Sequence, residues 1–252
     1  MLLEGWKDAC TNVAFEEAMF MNCAPEEMVL RVWDNQKAIV IGRAQLASFE
    51  TDVDYCSANG IPIVRRFTGG GTVYHGPGNL NWSMVVGKDF DGGNIKYVWD
   101  VRQIFGVAGA LVTEAIRVCG VDVRFEAPGN RIVSGAGKVS GMAAYLSKEA
   151  MFCHGTLLLH ADLVEASKLT NPTPTNLERR YIRSNPMQVA NTGIEGERFV
   201  TALSSVISKE AGASLERRGP TGSELATLAK LLPRYADPGW NLGDPFTHLR
   251  VD

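Results

Sequence analysis

Three consecutive glycines, Gly69, Gly70 and Gly71, interrupt a segment otherwise patterned like a β-hairpin, "RRFTGGGTVYHGPGNLNWS" from Arg65 to Ser83. Glycine tolerates positive φ and carries no Cβ, so a ligand can approach the main-chain amides of such a turn. Successive N–H groups there form an anion-binding concavity. Arg65 and Arg66 stand just before the turn. Their guanidinium groups offer planar donor forks for phosphate or carboxylate, so the corner suits an acidic small molecule; read more plainly, it is a glycine-rich hairpin with solvated arginines. Beyond the corner, Leu80, Trp82, Met84 and Val86 alternate with Asn79, Asn81 and Ser83. That period of two describes a half-buried strand whose polar face can line a site.

The rest of the 252 residues mixes strands and helices without a strict repeat. "TNVAFEEAMFMN" starts as a helix capped at Thr11 or Asn12, with Val13, Ala14, Met19 and Phe20 at near-helical spacing. "MVLRVW" (Met28 to Trp33) and "AIVIG" (Ala38 to Gly42) read as a hairpin across "DNQK". Thr51 caps a short helix to Asn59, Gly60 ends it, and "IPIVRRF" runs extended. A long helix is expected from Tyr97 to Val118, then three extended stretches, "VDVRF", "GKVSGMAAYL" and "AMFCHGTLLLH". A short helical stretch after Asp162, the loop "TNPTPTN", and helices over Glu195 to Glu210 and Ser223 to Tyr235 complete the pattern. Strand clusters interrupted by helices favour an α+β fold, with helices packed on largely antiparallel sheet.

With 45% apolar and 21% charged residues the chain can bury a sizeable core, and a net charge of -3 gives no general pull toward nucleic acid or an anionic membrane. Neither partner class is expected. Five widely spaced cysteines include no C-x-x-C pair, which fits a reducing compartment. No signal-peptide pattern opens the chain and no stretch approaches the roughly 18 apolar residues of a membrane span, so the expected location is the cytoplasm.

"SGAGKVS" is not a P-loop, because Ile132 stands where the first glycine belongs and Val139 where serine or threonine is required. G-x-G-x-x-G opening a helix and H-E-x-x-H are also absent. Lys138 either polarises a carbonyl or neutralises a phosphate from a water-poor pocket, or is a surface lysine at a strand start. His75, His154 and His160 are ligands or bases on one reading and hydrogen-bonded structural groups on the other. Cys153 neighbours His154, but adjacent strand residues point to opposite faces, which argues against a simple Cys-His couple.

Taken together, "RRFTGGGTVYH" with "GNLNWS", then "GKVSGMAA", then "HGTLLLHADL" resemble, in order and spacing, the lipoate-protein ligases of the biotin/lipoate ligase superfamily. "NVAFEEAMF", "IVIGRAQ" and "WNLG" (Trp240 to Gly243) resemble further parts of that family's catalytic domain. The resemblance implies that residues 1–252 form one α+β domain of the class II synthetase-like type. It also implies an enzyme that activates lipoate with ATP and Mg2+ to lipoyl-adenylate and passes the lipoyl group to a lysine of an acceptor domain. Carried onto this chain, it makes Lys138 the catalytic contact to carboxyl and phosphate oxygens. Arg66, Gly69, Gly70, Gly71 and His75 would then line the acyl and adenylate pocket, with Asn79 and Asn81 near the nucleotide. Asn130, Gly141, Ala143, His154 and Gly155 complete the implied binding set. Val73 and the strand around Leu80 either shelter the aliphatic tail or pack the core.

Two departures from the family pattern bear on cofactor and partner. Where the family often shows Asn-Asp before the lysine, the acid helping to hold magnesium, this chain has Asn130 followed by Arg131, and no metal ligand is assigned. The chain also ends soon after "WNLG", so the family's small accessory domain is expected to come from a separate subunit. Two other chemistries compete. An ATP-independent octanoyl or lipoyl transferase needs an activated thiolate ahead of the lysine motif, where "VRFEAPGN" has none and only Cys153 remains as a substitute. The other is a lipoate-binding subunit without catalysis. Biotin ligation is disfavoured, since that branch's "GRGRxGR"-type signature is absent.

Overall fold

The computed structural model describes residues 1–3, 5, 6, 8–170 and 181–248. Its main sheet has six antiparallel strands in the order β1 (Met28–Asp34), β5 (Asn79–Gly87), β11 (Ala150–Leu158), β10 (Gly137–Leu146), β9 (Arg131–Ser134) and β8 (Val123–Glu126). A smaller sheet sets β2 (Ala38–Ile41) between β3 (Ile63–Arg65), parallel to it, and β4 (Val73–His75), antiparallel to it. A two-residue ribbon, β6 (Asp91–Gly92) with β7 (Ile95–Lys96), stands apart. The longer helices are α1 (Ala9–Met21), α4 (Val101–Val118), α6 (Gly196–Ala211) and α7 (Gly222–Ala236). Short helical turns α2 (Ala47–Glu50), α3 (Val53–Ala58), α5 (Leu163–Leu169), α8 (Pro238–Leu242) and α9 (Pro245–His248) connect them. The α+β class with largely antiparallel sheet is as the sequence predicts.

Both faces of the main sheet are covered. On α4 the residues Ile104, Phe105, Ala108, Leu111, Val112, Ala115 and Ile116 recur at three- and four-residue spacing and are all buried, so the helix lays one apolar stripe against Trp82 and Met84 together with α6. Each large side chain so buried stabilises the fold by roughly 1.5–3 kcal/mol. On the opposite face α1 and α7 pack over Val29, Trp33, Val85 and Phe152. The polar side of β5 therefore lies under α1 and the small sheet rather than in solvent, and Asn79, Asn81 and Ser83 are all buried.

Local chemistry corrects several expected elements. Asp8, not Thr11 or Asn12, caps α1 by accepting the Thr11 amide, and Asp52, not Thr51, caps α3. The expected hairpin across "DNQK" does not form: β1 pairs with β5 and β2 joins the other sheet. Both strands are buried nearly throughout, so each needs cover on two faces, which a lone hairpin cannot supply. Nor is the glycine corner a hairpin, since β4 and β5 lie in different sheets. Arg131–Ser134 is a strand that the sequence reading missed. The predicted "TNPTPTN" loop lies, beyond Thr170, outside the described residues. Among the described residues no helix is long and apolar enough to cross a membrane.

Arg65 departs most from expectation. It is completely buried and turned away from the glycines, with Nε donating to Trp240 O at 2.7 Å, Nη1 to Arg43 O at 3.1 Å and to Gln45 O, and Nη2 to Gly243 O at 3.0 Å. Its amide donates to Asn241 Oδ1 at 2.8 Å. Rather than receiving a ligand, this guanidinium clamps the "WNLG" segment onto the start of the corner.

Candidate active site

The two sheets, Glu16 from the middle of α1 and the segment from Ile182 to Met187 enclose a cavity of about 370 Å³. Of the residues singled out from sequence, Arg66, Gly70, Gly71, Val73, His75 and Asn81 stand on its wall from one side. Asn130, Lys138, Gly141, Ala143, His154 and Gly155 stand on it from the other. Gly69 and Asn79 do not. The Gly69 carbonyl accepts from Arg66 Nη2 at 2.5 Å, and Asn79 sits behind Asn81, donating to its Oδ1 at 3.1 Å. Leu80 packs against the core on the α4 side, which excludes it from sheltering a ligand's tail here. His160 is exposed, lies off the wall and stands 3.6 Å from Glu195.

Arg66 organises the corner. It is buried, donates to the carbonyls of Gly69 and Gly71 and to Thr68 Oγ1, and remains cationic at neutral pH although burial lowers its pKa to about 10. Of the three glycines only Gly70 has positive φ, 86°. Even so, the amides of Gly69, Gly70 and Gly71 have no hydrogen-bond partner among the described residues. The corner thus keeps main-chain donors available beside a fixed guanidinium.

A β-bulge sets the position of Lys138. Pairing between β10 and β9 shifts register between Lys138 and Ser140, so Lys138 shares a side with Gly141, which a regular strand would place on opposite faces. Its Nζ makes no hydrogen bond or ion pair among the described residues. Burial, reinforced by Arg131 and Arg66, lowers the pKa of this ammonium. Arg131 shares the wall and is held by Glu126 through Nε at 2.8 Å; Arg183, also on the wall, is held by Glu50 at 2.9 Å.

Glu16 is the functional residue that sequence reading overlooked. It is buried on α1, accepts from Ser83 Oγ, and lies 2.9 Å from His154 Nδ1; His154 Nε2 is 2.8 Å from Thr68 Oγ1, which also accepts from Arg66. Burial pushes the Glu16 carboxyl up, but His154, Ser83 and Arg31 outweigh it and hold the group below the usual carboxylate range. The signal was present in "VAFEEAMF", where a carboxylate interrupts an apolar helical run. Ser184 was missed too: its Oγ receives the Thr72 amide at 2.8 Å and Gln45 Nε2 at 3.1 Å, tying the Ile182–Met187 segment to the corner.

The donor set does not fit a divalent cation. Among the described residues no group of three His, Cys, Asp or Glu side chains could hold a metal ion, and the place beside Asn130 is taken by the Arg131 guanidinium. Nor does a thiol reach the cavity. Cys153 is buried in the core on the α4 side, where burial alone raises its thiol far above the usual range, and the remaining cysteines lie off the wall. The geometry is that of a preformed, cation-lined receptor for an acidic ligand with an apolar portion, the latter facing Trp33, Val40, Val73 and Ala143.

The family model of the lipoyl protein ligase A/B catalytic domain matches residues 8–204. The chain belongs to that family of ligase catalytic domains. Lipoate-protein ligase 1 of Staphylococcus aureus (strain Mu50) is 30% identical over 243 residues, covering 94% of this ligase and 70% of its own length. Among solved structures, lipoate-protein ligase A bound with ATP superposes with a TM-score of 0.82 at 27% identity, over 96% of this ligase and 98% of that chain. A bi-partite lipoate-protein ligase from Thermoplasma acidophilum, described with its E2 lipoyl domain, gives a TM-score of 0.82 at 26% identity, over 96% and 95%.

Proposed function

We propose that this ligase performs both half-reactions of lipoate ligation in the one cavity. In the first, the lipoate carboxylate attacks the α-phosphorus of ATP, forming lipoyl-adenylate and releasing pyrophosphate. In the second, a lysine amine of an acceptor domain attacks the acyl carbon, the bond from acyl carbon to phosphate oxygen breaks, AMP departs, and the amine loses its proton. The observation that carries this reading is the largely buried ammonium of Lys138, without a partner among the described residues, sharing with Arg66 a cavity that Gly70 and Gly71, whose amides have no partner among the described residues, also line. Two desolvated cations in one pocket call for an anion that binds them both, and an acyl-phosphate spans them.

In this reading Lys138 stabilises charge on the acyl and phosphate oxygens, and Arg66 with the glycine amides holds the phosphate. The chain needs no nucleophile of its own, because positioning and electrostatics supply the rate. Trp33, Val73 and Ala143 shelter the aliphatic tail. The absence of a thiol from the wall favours ligation over cysteine-based acyl transfer. Relatives supply the outer frame: one is bound with ATP, and one is bi-partite and described with a lipoyl domain, which supports a separate accessory subunit and a lipoyl-acceptor domain as partners.

Mass spectrometry for lipoyl-adenylate, with purified protein, lipoate, ATP and Mg2+, tests the reading directly. Adenylate that disappears in Lys138→Ala is the expected result. Should none form, synthetic lipoyl-adenylate and an apo-acceptor domain are added; transfer then assigns activation to a partner subunit, and no transfer sinks the ligase reading.

A further inference from the structure

The register of the main sheet lays the cavity floor out as one row across five strands. Trp33 on β1 pairs with Asn81 on β5, Asn81 with Thr156 on β11, Thr156 with Gly141 on β10, and Gly141 with Arg131 on β9. Residues directly opposite one another in an antiparallel pair share a face, and all five of these line the cavity. With strands about 4.8 Å apart, Trp33 stands roughly 14 Å from Gly141 on one side, and Arg131 about 5 Å from it on the other.

The two ends of the row differ in charge. At the first end His75 stands edge-on to Trp33, with centroids 5.6 Å apart, and burial lowers its pKa to about 3, so that ring is neutral at pH 7. Glu16, the one carboxylate on the wall among the described residues, is held by Ser83 of β5 and His154 of β11. At the other end stand Lys138, whose tip lies over Gly141, and Arg131. Arg131 Nε donates to Glu126 at 2.8 Å, Nη1 donates to the Met187 thioether, a weak acceptor, at 2.9 Å, and Nη2 has no partner among the described residues. Glu126 also accepts from Arg124 at 2.8 Å, so two guanidinium groups share one carboxylate and the trio keeps a net positive charge. Gly129 makes room for this arrangement, since a Cβ there would fall 2.7 Å from Arg131 Nη1.

In the ligation reading, on which this inference rests, the acyl tail occupies the Trp33 end and its carboxylate reaches Lys138. A carboxylate oxygen bonds to the α-phosphorus of ATP as the bond from that phosphorus to the bridging oxygen breaks, and the electron pair leaves with pyrophosphate. Attack and departure lie in line across phosphorus, so an acyl chain arriving from β1 directs pyrophosphate onward to β9. We propose that Arg131 receives the pyrophosphate end of ATP, supplying the positive charge that a metal ion held by protein carboxylates would otherwise bring, so that this protein binds the nucleotide without a divalent cation. A magnesium ion at that end would need one or two carboxylates, and the one beside Arg131 is already bonded to two cations. The remaining donors of the guanidinium offer phosphate a planar fork.

Calorimetric titration with ATP, in the absence of lipoate, tests this. Wild-type protein should bind ATP about as tightly in EDTA as in Mg2+. Arg131→Ala should weaken ATP binding in EDTA by about tenfold or more, the loss of a charge-assisted contact, while AMP, which lacks the pyrophosphate, should bind variant and wild type alike. Should that variant fail to fold, Arg131→Gln, which can still donate to Glu126, reads the same loss. Wild-type binding that appears only with Mg2+ overturns the proposal and leaves the ligase reading standing. An unaltered ATP affinity in the variant, or an equal loss for ATP and AMP, overturns it as well. If wild-type protein binds no ATP under either condition, the ligase reading itself is at fault and the role of Arg131 falls with it.

Discussion

Lys138 Nζ lies 2.6 Å from the point a Cβ on Gly141 would occupy, although the two residues are three apart on one strand. The bulge before Ser140 brings them together, and the missing side chain of Gly141 is the space the ammonium uses. Gly141→Ala should therefore displace the tip of Lys138 rather than the backbone. Its expected effect is a change in stability below about 1 kcal/mol, since a flexible side-chain end can shift, with adenylate formation reduced roughly 10²-fold by misplacement of the charge. Urea unfolding beside the adenylate assay checks both; strong destabilisation with full activity per folded molecule would refute the assignment.

Glu16 joins α1 to β11 through His154 and to β5 through Ser83. Glu16→Ala leaves buried Ser83 and half-buried His154 without their acceptor and should cost about 3 kcal/mol, the lower end of the range for removing one member of a buried pair. Glu16→Gln keeps the shape and should fall between variant and wild type. Denaturant melts of the three proteins at neutral pH give the comparison, and a cost for Glu16→Ala under about 1 kcal/mol would show that the contact is not coupled to folding.

His75 predicts a pH dependence of stability. Its folded pKa, about 3, lies below the unfolded value of about 6.5, so the unfolded chain binds the extra proton. The contribution is complete above pH ~6.5 and declines as pH falls toward the folded pKa, at about 1.4 kcal/mol per pH unit inside that window. Stepwise unfolding between pH 7 and pH 4 should give a shallower slope for His75→Gln than for wild type. Parallel slopes would mean that the ring is protonated in the native state.

Arg65 is the structural member of the arginine pair, and Lys is no substitute for it. A lysine has one ammonium to serve carbonyls that the guanidinium reaches in several directions, from Arg43 to Gly243. Arg65→Lys should lose at least about 3 kcal/mol, equivalent to two charged hydrogen bonds, and loosen the C-terminal segment. Hydrogen exchange at the amides of Asn241 and Gly243 is the local readout. Arg66→Lys should instead retain the fold better and weaken ligand binding, so a reversed pattern would exchange the two roles.

Much of the architecture is legible in residue order. Spacing of three and four along Ile104 to Ile116 marks α4, alternation along Leu80 to Val86 marks β5, and Thr221 with Glu224 forms the capping box that starts α7. The motif stretches around Arg66, Lys138 and His154 likewise carry the family and most of the cavity wall. These signals are local: each depends on the periodicity of a strand or helix, or on a side chain reaching its own backbone.

Tertiary structure alone decided which way the key groups face and whom they meet. Arg65 and Arg66 are adjacent and identical, yet one is spent on carbonyls of a segment some 175 residues away and the other lines the cavity. Alternation predicts a face only until a bulge shifts the count, as it does at Lys138. Glu16 and His154 are 138 residues apart, and Asn35 and His75 are 40 apart. Their hydrogen bonds exist because two sheets and a helix pack to exclude water, and burial then makes each unpaired polar atom costly enough to select one partner and one orientation.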